Sequence, residues 1–370
     1  MKLFDVIEKQ GEHEEIVVCY NKDVGLKAII AIHNTALGPA LGGTRMWNYA
    51  SDEEALIDVL RLSKGMTYKA AASGLNLGGG KAVIIGDPKV QKTEALFRAF
   101  GQYVQSLNGR YITAEDVGTS EKDMEHVYAE TRWVTGISKA LGGSGDPSPF
   151  TAHGVLMGIK ASVKEAYQAD SLKGMRIAVQ GLGNVGSHLV QYLVKEGAQV
   201  TVTDIDADKC KKIEKELNVK VVGKDEILFQ ECDVLAPCAL GAIFNDQTID
   251  KLKTKVICGG ANNQLAEQRH GQALKELGIL YAPDYVVNAG GLMNVFVELE
   301  KYSMERAFAK TETIYDNTLT IFDLAKKENI PTNLAADKVA ERRIAQIGKL
   351  KQKHSGYTPR TYGTLKVEDR

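Results

Sequence analysis

Three side chains in the first third of the chain could do acid–base chemistry: Lys69, Lys81 and Asp116. Lysines are normally solvated surface charges. Lys81 departs from that habit, because three glycines (Gly78, Gly79, Gly80) precede it and the apolar run Ala82-Val83-Ile84-Ile85 follows. Glycines let a backbone or ligand come close, and a lysine at the mouth of a buried strand is partly desolvated. Desolvation, with Lys69 as a second nearby cation, disfavours the ammonium form, so a lowered pKa is expected. A lysine tuned in this way can act as a general base near neutral pH. Asp116 lies in Thr113-Ala114-Glu115-Asp116-Val117-Gly118-Thr119, at the expected exit of a strand. Its competing reading is a helix cap or turn aspartate.

A second constellation lies further on. Gly181-Leu182-Gly183-Asn184-Val185-Gly186 is a GxGxxG pattern that follows the strand-like MRIAVQG and opens a helix-like segment. The next strand-like run, QVTVTD, ends in Asp204, about 20 positions on, as the dinucleotide fingerprint requires. The glycines permit a tight turn and close backbone approach to a pyrophosphate held at the helix N-terminus. Asp204 would accept hydrogen bonds from the adenosine ribose. With Asp206 close by, a 2′-phosphate would meet negative charge, so NAD is expected over NADP.

These residues need elements to position them. With 370 residues the chain is long enough for two domains. EIVVCYN and GLKAIIAIHNT read as successive strands. Ser51 with Glu54 three residues later predicts a capping box opening a helix with Leu56, Val59 and Leu60 on one face. GGKAVIIG reads as a buried strand, Phe97, Phe100, Val104 and Leu107 mark an amphipathic helix, and YITAEDVG reads as another strand. Gly142 to Pro149 is a candidate hinge. Beyond it MRIAVQG, QVTVTD, CDVLAPC, KVICGG and ILYAP alternate with helical patterns, which predicts a parallel, doubly wound sheet. The expected class is α/β in two domains: residues 1–140 for substrate, catalysis and oligomerisation, and 141–330 as a Rossmann-type NAD-binding domain. Residues 331–370 are expected as C-terminal helices packing back on the first domain, with a mobile tail.

Composition narrows the partners. The formal net charge is −1, so no overall field favours nucleic acid or an anionic membrane. Acidic residues occupy the N-terminal stretch where a signal peptide would be apolar, and no apolar run approaches the ~20 residues that span a bilayer. Cys19, Cys210, Cys232, Cys238 and Cys258 are scattered without a CxxC pair, and the seven histidines show no HxxxH or HExxH spacing. Free thiols in a cytoplasmic protein without a metal site are the expectation.

GPALGGTRMW, GLNLGGGKAVIIGDP, NGRYITAEDVGT, APCALGA, GGANNQL and APDYVVNAGG together resemble the glutamate/leucine/phenylalanine/valine dehydrogenase family, from Gly38 through about Ala335. The resemblance implies that Lys69 pairs with the substrate α-carboxylate and that Lys81 activates water. It implies too that Asp116 exchanges protons with the amino group, while Thr151 and Asn262 line the nicotinamide and substrate. In the glutamate-specific members the position matching Leu41, beside Gly42, is typically a lysine that binds a γ-carboxylate. Leu41 leaves such a carboxylate unpaired, which is costly. Ala114, Leu292 and Val295 match positions lining the side-chain pocket and are all apolar, although apolar residues are also ordinary core. The implied reaction is reversible deamination of leucine, valine or isoleucine to 2-oxo acids and ammonia, with closure of the hinged domains excluding water. Phenylalanine or valine as main substrate is the alternative within the family, and an NAD-binding protein without catalysis is the alternative outside it. A hydroxy-acid dehydrogenase would need a histidine paired with a carboxylate, and His153 has no obvious partner in the sequence. The resemblance also implies a homo-oligomer, often an octamer.

Overall fold

The computed structural model describes residues 3–353; the expected mobile tail lies beyond them. The chain forms two compact units. One comprises the residues up to Asp146, Val295–Met304 and the chain onward from Ala340, and the other Pro147–Asn294 with Glu305–Val339.

The first unit is built on a mixed six-stranded sheet. Helix α1 (Leu3–Gln10) precedes strands β1 (Glu15–Asn21), β2 (Leu26–Asn34), β3 (Ala40–Leu41) and β4 (Thr44–Trp47). Helix α2 (Asp52–Ala72), β5 (Gly78–Ile85), α3 (Glu94–Ser106), β6 (Tyr111–Ile112) and α4 (Glu121–Tyr128) follow. The strand order is β1-β2-β5-β3-β6, with β4 also paired to β5. β1, β2 and β5 run antiparallel, whereas β3 and β4 lie parallel to β5. Ser51 caps α2 by accepting from Glu54 N at 3.1 Å. The reciprocal bond differs from the expected capping box, since Glu54 Oε2 accepts from Ala50 N at 2.7 Å, one residue before the cap. Leu56, Val59 and Leu60 are buried on the sheet with Ile29, Ala31 and Val83. One face of β5 therefore lies beneath α2.

YITAEDVG is strand only at Tyr111–Ile112. Thr113 and Glu115 make single bridges to Val134 and Thr44, and the chain then turns through Gly118 at φ +81°. Its alternating pattern continues past the point where backbone pairing stops.

In the second unit the strands are β7 (Arg176–Gln180), β8 (Gln199–Thr203), β9 (Lys220–Val221), β10 (Val234–Pro237), β11 (Val256–Ile257) and β12 (Leu280–Tyr281). All pairs are parallel, in the order β12-β11-β10-β7-β8-β9. The chain winds outward from β7 one way, returns, and winds outward from β10 the other way. In such sheets ligands bind beyond the carboxyl ends of the strands where the winding reverses, here between β7 and β10. Helix α5 (Ser148–Tyr167) opens the unit behind Pro147, and α6 (Asn184–Lys195) and α7 (Ala207–Leu217) connect the first three strands. No helix among the described residues is long and apolar enough to cross a membrane.

Candidate active site

Alternation along β5 puts Gly79, Lys81 and Val83 on the face under α2. That helix lies so close that a Cβ on Gly79 would fall 2.1 Å from Thr67 N. Lys81 is consequently only 5% exposed. Burial pushes its ammonium below the usual lysine pKa, and the carboxylate of Asp116 offsets only part of this. The cation that adds most to the lowering is Arg45, not the expected Lys69. Lys69 is half-buried, near the C-terminal end of α2.

Asp116 comes to Lys81 by register. Leu41 pairs with Gly79 and Ile112, and Thr44 pairs with Ala82 and Glu115. Continuing that alternation sets Leu41, Gly43 and Arg45 on the same face as Gly79, Lys81 and Val83, with Ala114 and Asp116 on that face of the third segment. The segments approach closely at Gly43, where a Cβ would lie 2.4 Å from Glu115 O and 2.9 Å from Asp116 Cβ. Thr119 holds the turn by donating to Thr44 O at 2.8 Å and accepting from Asp116 N at 2.9 Å. The result is an ion pair, Lys81 Nζ to Asp116 Oδ2 at 3.1 Å. Burial alone would raise the Asp116 pKa, but Lys81 and Arg45 outweigh it and hold the carboxyl below its usual range.

Sequence reasoning passed over Arg45, although it stands in the quoted GGTRMW run. Its Nε donates to Asp116 Oδ2 at 3.0 Å and its Nη1 to Asp58 Oδ2 at 2.9 Å. An arginine in a strand between buried Thr44 and Met46 must find carboxylates, which was the available signal.

Leu41 and Ala114 are both buried on the Lys81 face. Gly42, between them in register, donates its N–H to Ile112 O at 3.2 Å and accepts from Tyr111 Oη at 2.6 Å.

The remaining residues singled out in the sequence belong to the second unit, apart from Val295. Gly181 adopts φ +99°, and Gly183 caps α6 with nothing within 4 Å of the position a Cβ would take. A Cβ on Gly186 would lie 2.0 Å from Gly181 O, so helix and turn pack tightly. Leu182, Asn184 and Val185 complete this loop and the first turn of α6. Asp204 follows β8 and accepts from Leu182 N at 2.5 Å and Asp206 N at 2.9 Å, which places the acidic group against the glycine loop. This open, glycine-lined helix start with an adjacent carboxylate fits a dinucleotide. Thr151 sits in the first turn of α5, its hydroxyl 2.8 Å from where a Gly291 Cβ would be. Asn262 is exposed, and its Oδ1 accepts from the buried Asn288 Nδ2 at 2.7 Å. Leu292 is buried and Val295 half-buried, one turn apart on helix Gly290–Glu298.

His153 packs edge-on against Phe308 and Tyr192. Its Nε2 is 4.0 Å from the exposed Glu312, and burial lowers its pKa. Asp246, Glu267 and His270 converge as a metal site would, but Arg269 already pairs with both carboxylates and His270 Nδ1 accepts from Glu267 N. All five cysteines are free.

A parallel doubly wound unit with a dinucleotide-type loop, and another unit carrying a buried lysine paired with a carboxylate, together define a two-unit α/β dehydrogenase. Comparison with known proteins makes this specific. Residues 13–133 match the Glu/Leu/Phe/Val dehydrogenase dimerisation domain, and residues 142–207 and 201–351 match the Glutamate/Leucine/Phenylalanine/Valine dehydrogenase domain. The chain belongs to that family, and is an oxidoreductase working on amino acids and oxo acids with a nicotinamide dinucleotide. It is 58% identical to leucine dehydrogenase of Thermoactinomyces intermedius, over 94% of this chain and 95% of the relative. The same figures hold for leucine dehydrogenase of Geobacillus stearothermophilus. Among solved structures, L-tryptophan dehydrogenase from Nostoc punctiforme superposes with a TM-score of 0.83 at 46% identity, covering 93% of this chain and 99% of that one.

Proposed function

We propose that the protein catalyses the reversible, NAD-dependent oxidative deamination of branched-chain L-amino acids, leucine first, to 2-oxo acids and ammonia. The observation that carries this reading is the pair of buried Lys81 and half-buried Asp116 at 3.1 Å, on the same sheet face as the apolar Leu41 and Ala114. An acid–base couple shares its sheet face with apolar side chains, and at position 41 stands a leucine that cannot pair with a side-chain carboxylate. The identity to two leucine dehydrogenases supports the same substrate class.

NAD is held in this reading by Gly181, Leu182, Gly183, Asn184, Val185 and Gly186, with Asp204 on the ribose and Thr151 on the nicotinamide side. Asp204 and Asp206 would repel a 2′-phosphate, which favours NAD over NADP. The dinucleotide supplies the hydride acceptor when bound. Lys69 and Asn262 orient the substrate, and Leu41, Gly42, Ala114, Leu292 and Val295 take its side chain. Once the substrate is an imino acid, neutral Lys81 takes a proton from water as the oxygen adds to the imine carbon. Asp116, having taken one proton from the substrate ammonium before hydride transfer, returns it to the nitrogen and then accepts the hydroxyl proton as the carbon–nitrogen bond breaks and ammonia leaves. A homo-oligomer in the cytoplasm completes the reading, supported by the dimerisation-domain match.

Initial rates of NAD reduction with L-leucine, L-valine, L-isoleucine, L-phenylalanine and L-tryptophan test it. The branched-chain substrates should lead. A phenylalanine or tryptophan preference of about tenfold, equivalent to ~1.4 kcal/mol, would overturn the substrate assignment. No activity with any of them would leave an NAD-binding protein.

A further inference from the structure

We infer that Arg45 is a positioning residue for proton transfer: clamped by Asp58, it holds Asp116 by one carboxylate oxygen and leaves the other to the substrate nitrogen. The inference rests on the assignment of Asp116 in the proposed function. Arg45 and Lys81 both engage Oδ2, at 3.0 and 3.1 Å. No protein group among the described residues hydrogen-bonds Oδ1. That oxygen is free to take one proton from the substrate ammonium, giving a neutral carboxylic acid and a neutral amine, and later to return it.

The clamp is built for rigidity. A guanidinium is a planar fork, so fixing one end orients the other. Arg45 Nη1 is fixed by Asp58 Oδ2 at 2.9 Å, and that same oxygen accepts from Tyr49 Oη at 2.8 Å. Asp58 Oδ1 accepts from Arg61 Nη2 at 3.0 Å, so the far end is anchored by two further donors, Arg61 on α2 and Tyr49 ahead of it. The bracket thus ties β4, α2 and the Asp116 turn together. Tyr49, Asp58, Arg61, Lys81 and Asp116 are charged or titratable groups around Arg45, and Glu115 adjoins Asp116. The positive charge of Arg45 lowers both partners' pKa values, Lys81 and Asp116 alike. A residue that served packing alone would not shift these two titrations.

The test compares Arg45→Gln, Arg45→Lys and Asp58→Asn with wild type over a pH series, using L-leucine and NAD. Arg45→Gln should lower kcat by roughly 10²-fold, the scale of a misplaced catalytic group, while KM for NAD stays unchanged. Its pH–rate profile, which rises as Lys81 and Asp116 lose their protons, should move to higher pH, because both groups lose a neighbouring cation. Arg45→Lys should recover the position of the profile but only part of kcat, since an ammonium cannot bracket two carboxylates. An Arg45→Gln enzyme with wild-type kcat and profile overturns the inference. Should that variant fail to fold, Asp58→Asn decides: an order-of-magnitude loss of kcat at unchanged KM for NAD supports the clamp, and wild-type kcat refutes it. Asp116→Asn, run in parallel, separates the two levels. If it keeps full turnover, the assignment of Asp116 itself fails; if it loses turnover while Arg45→Gln does not, only the clamp fails.

Discussion

Lys81 and Asp116 are pushed the same way on the pH scale with opposite chemical consequences. Burial lowers the lysine toward its neutral, basic form, and the two cations keep the carboxylate charged. Deamination should therefore quicken as pH rises through a lysine pKa below its ordinary 10.5, since only the neutral amine can take a proton from water. Lys81→Ala should lower kcat by roughly 10²–10⁴-fold, the usual worth of a positioned acid or base. It should also erase that rise with pH while NAD still binds, as dinucleotide fluorescence titration would show. Turnover near wild type in that variant removes Lys81 from the chemistry. The desolvation of Lys81 was legible in the sequence because a lysine between three glycines and four apolar residues is anomalous wherever it sits; its pairing with Asp116 was not. Arg45 was not, because its partners stand 13 and 71 residues away and only pairing register brings them round.

At the level of elements, the glycines before Lys81 set how near α2 can come. A Cβ on Gly79 would meet backbone, Thr67 N at 2.1 Å and Ser63 O at 2.6 Å, so relief requires moving the helix rather than rotating a side chain. Gly79→Ala should cost about 1–3 kcal/mol of stability by overpacking and lower kcat by displacing Lys81. Gly65, on the exposed side of the same helix, has nothing within 4 Å of its Cβ position. Gly65→Ala should gain about 0.5–1 kcal/mol from helix propensity alone and leave kcat intact. Thermal unfolding of the two variants checks the contrast, and equal effects would mean that close approach at Gly79 is not what matters. Continuous apolar strands such as β5 and β7 were readable from pattern, as was the face of α2. The end of β6 was not, because Thr113 to Asp116 keep a strand-like alternation while Gly118 and Thr119 commit the backbone to a turn. The two-residue β9 carries too little pattern to announce itself.

For the whole molecule, the reversal of winding between β7 and β10 and the loop Gly181–Gly186 support the proposed seat of the dinucleotide on the second compact unit, which has a core of its own around Leu235, Ile257 and Phe244. NAD bound there stabilises whatever opens together with its site, by about 2.7 kcal/mol when its concentration is 100 times Kd. Hydrogen exchange by mass spectrometry should then show NAD slowing exchange in peptides covering residues 176–204 and 234–238, beyond any change at β1 and β2. Asp204→Ala should cut this protection and raise KM for NAD, because the carboxylate that faces the glycine loop is gone. Its activity at saturating NAD should stay close to wild type, since Lys81 and Asp116 lie in the other unit. Protection that survives Asp204→Ala at the same NAD concentration would take Asp204 out of the site. Protection that spares residues 181–186 in the wild-type protein would remove the loop as well.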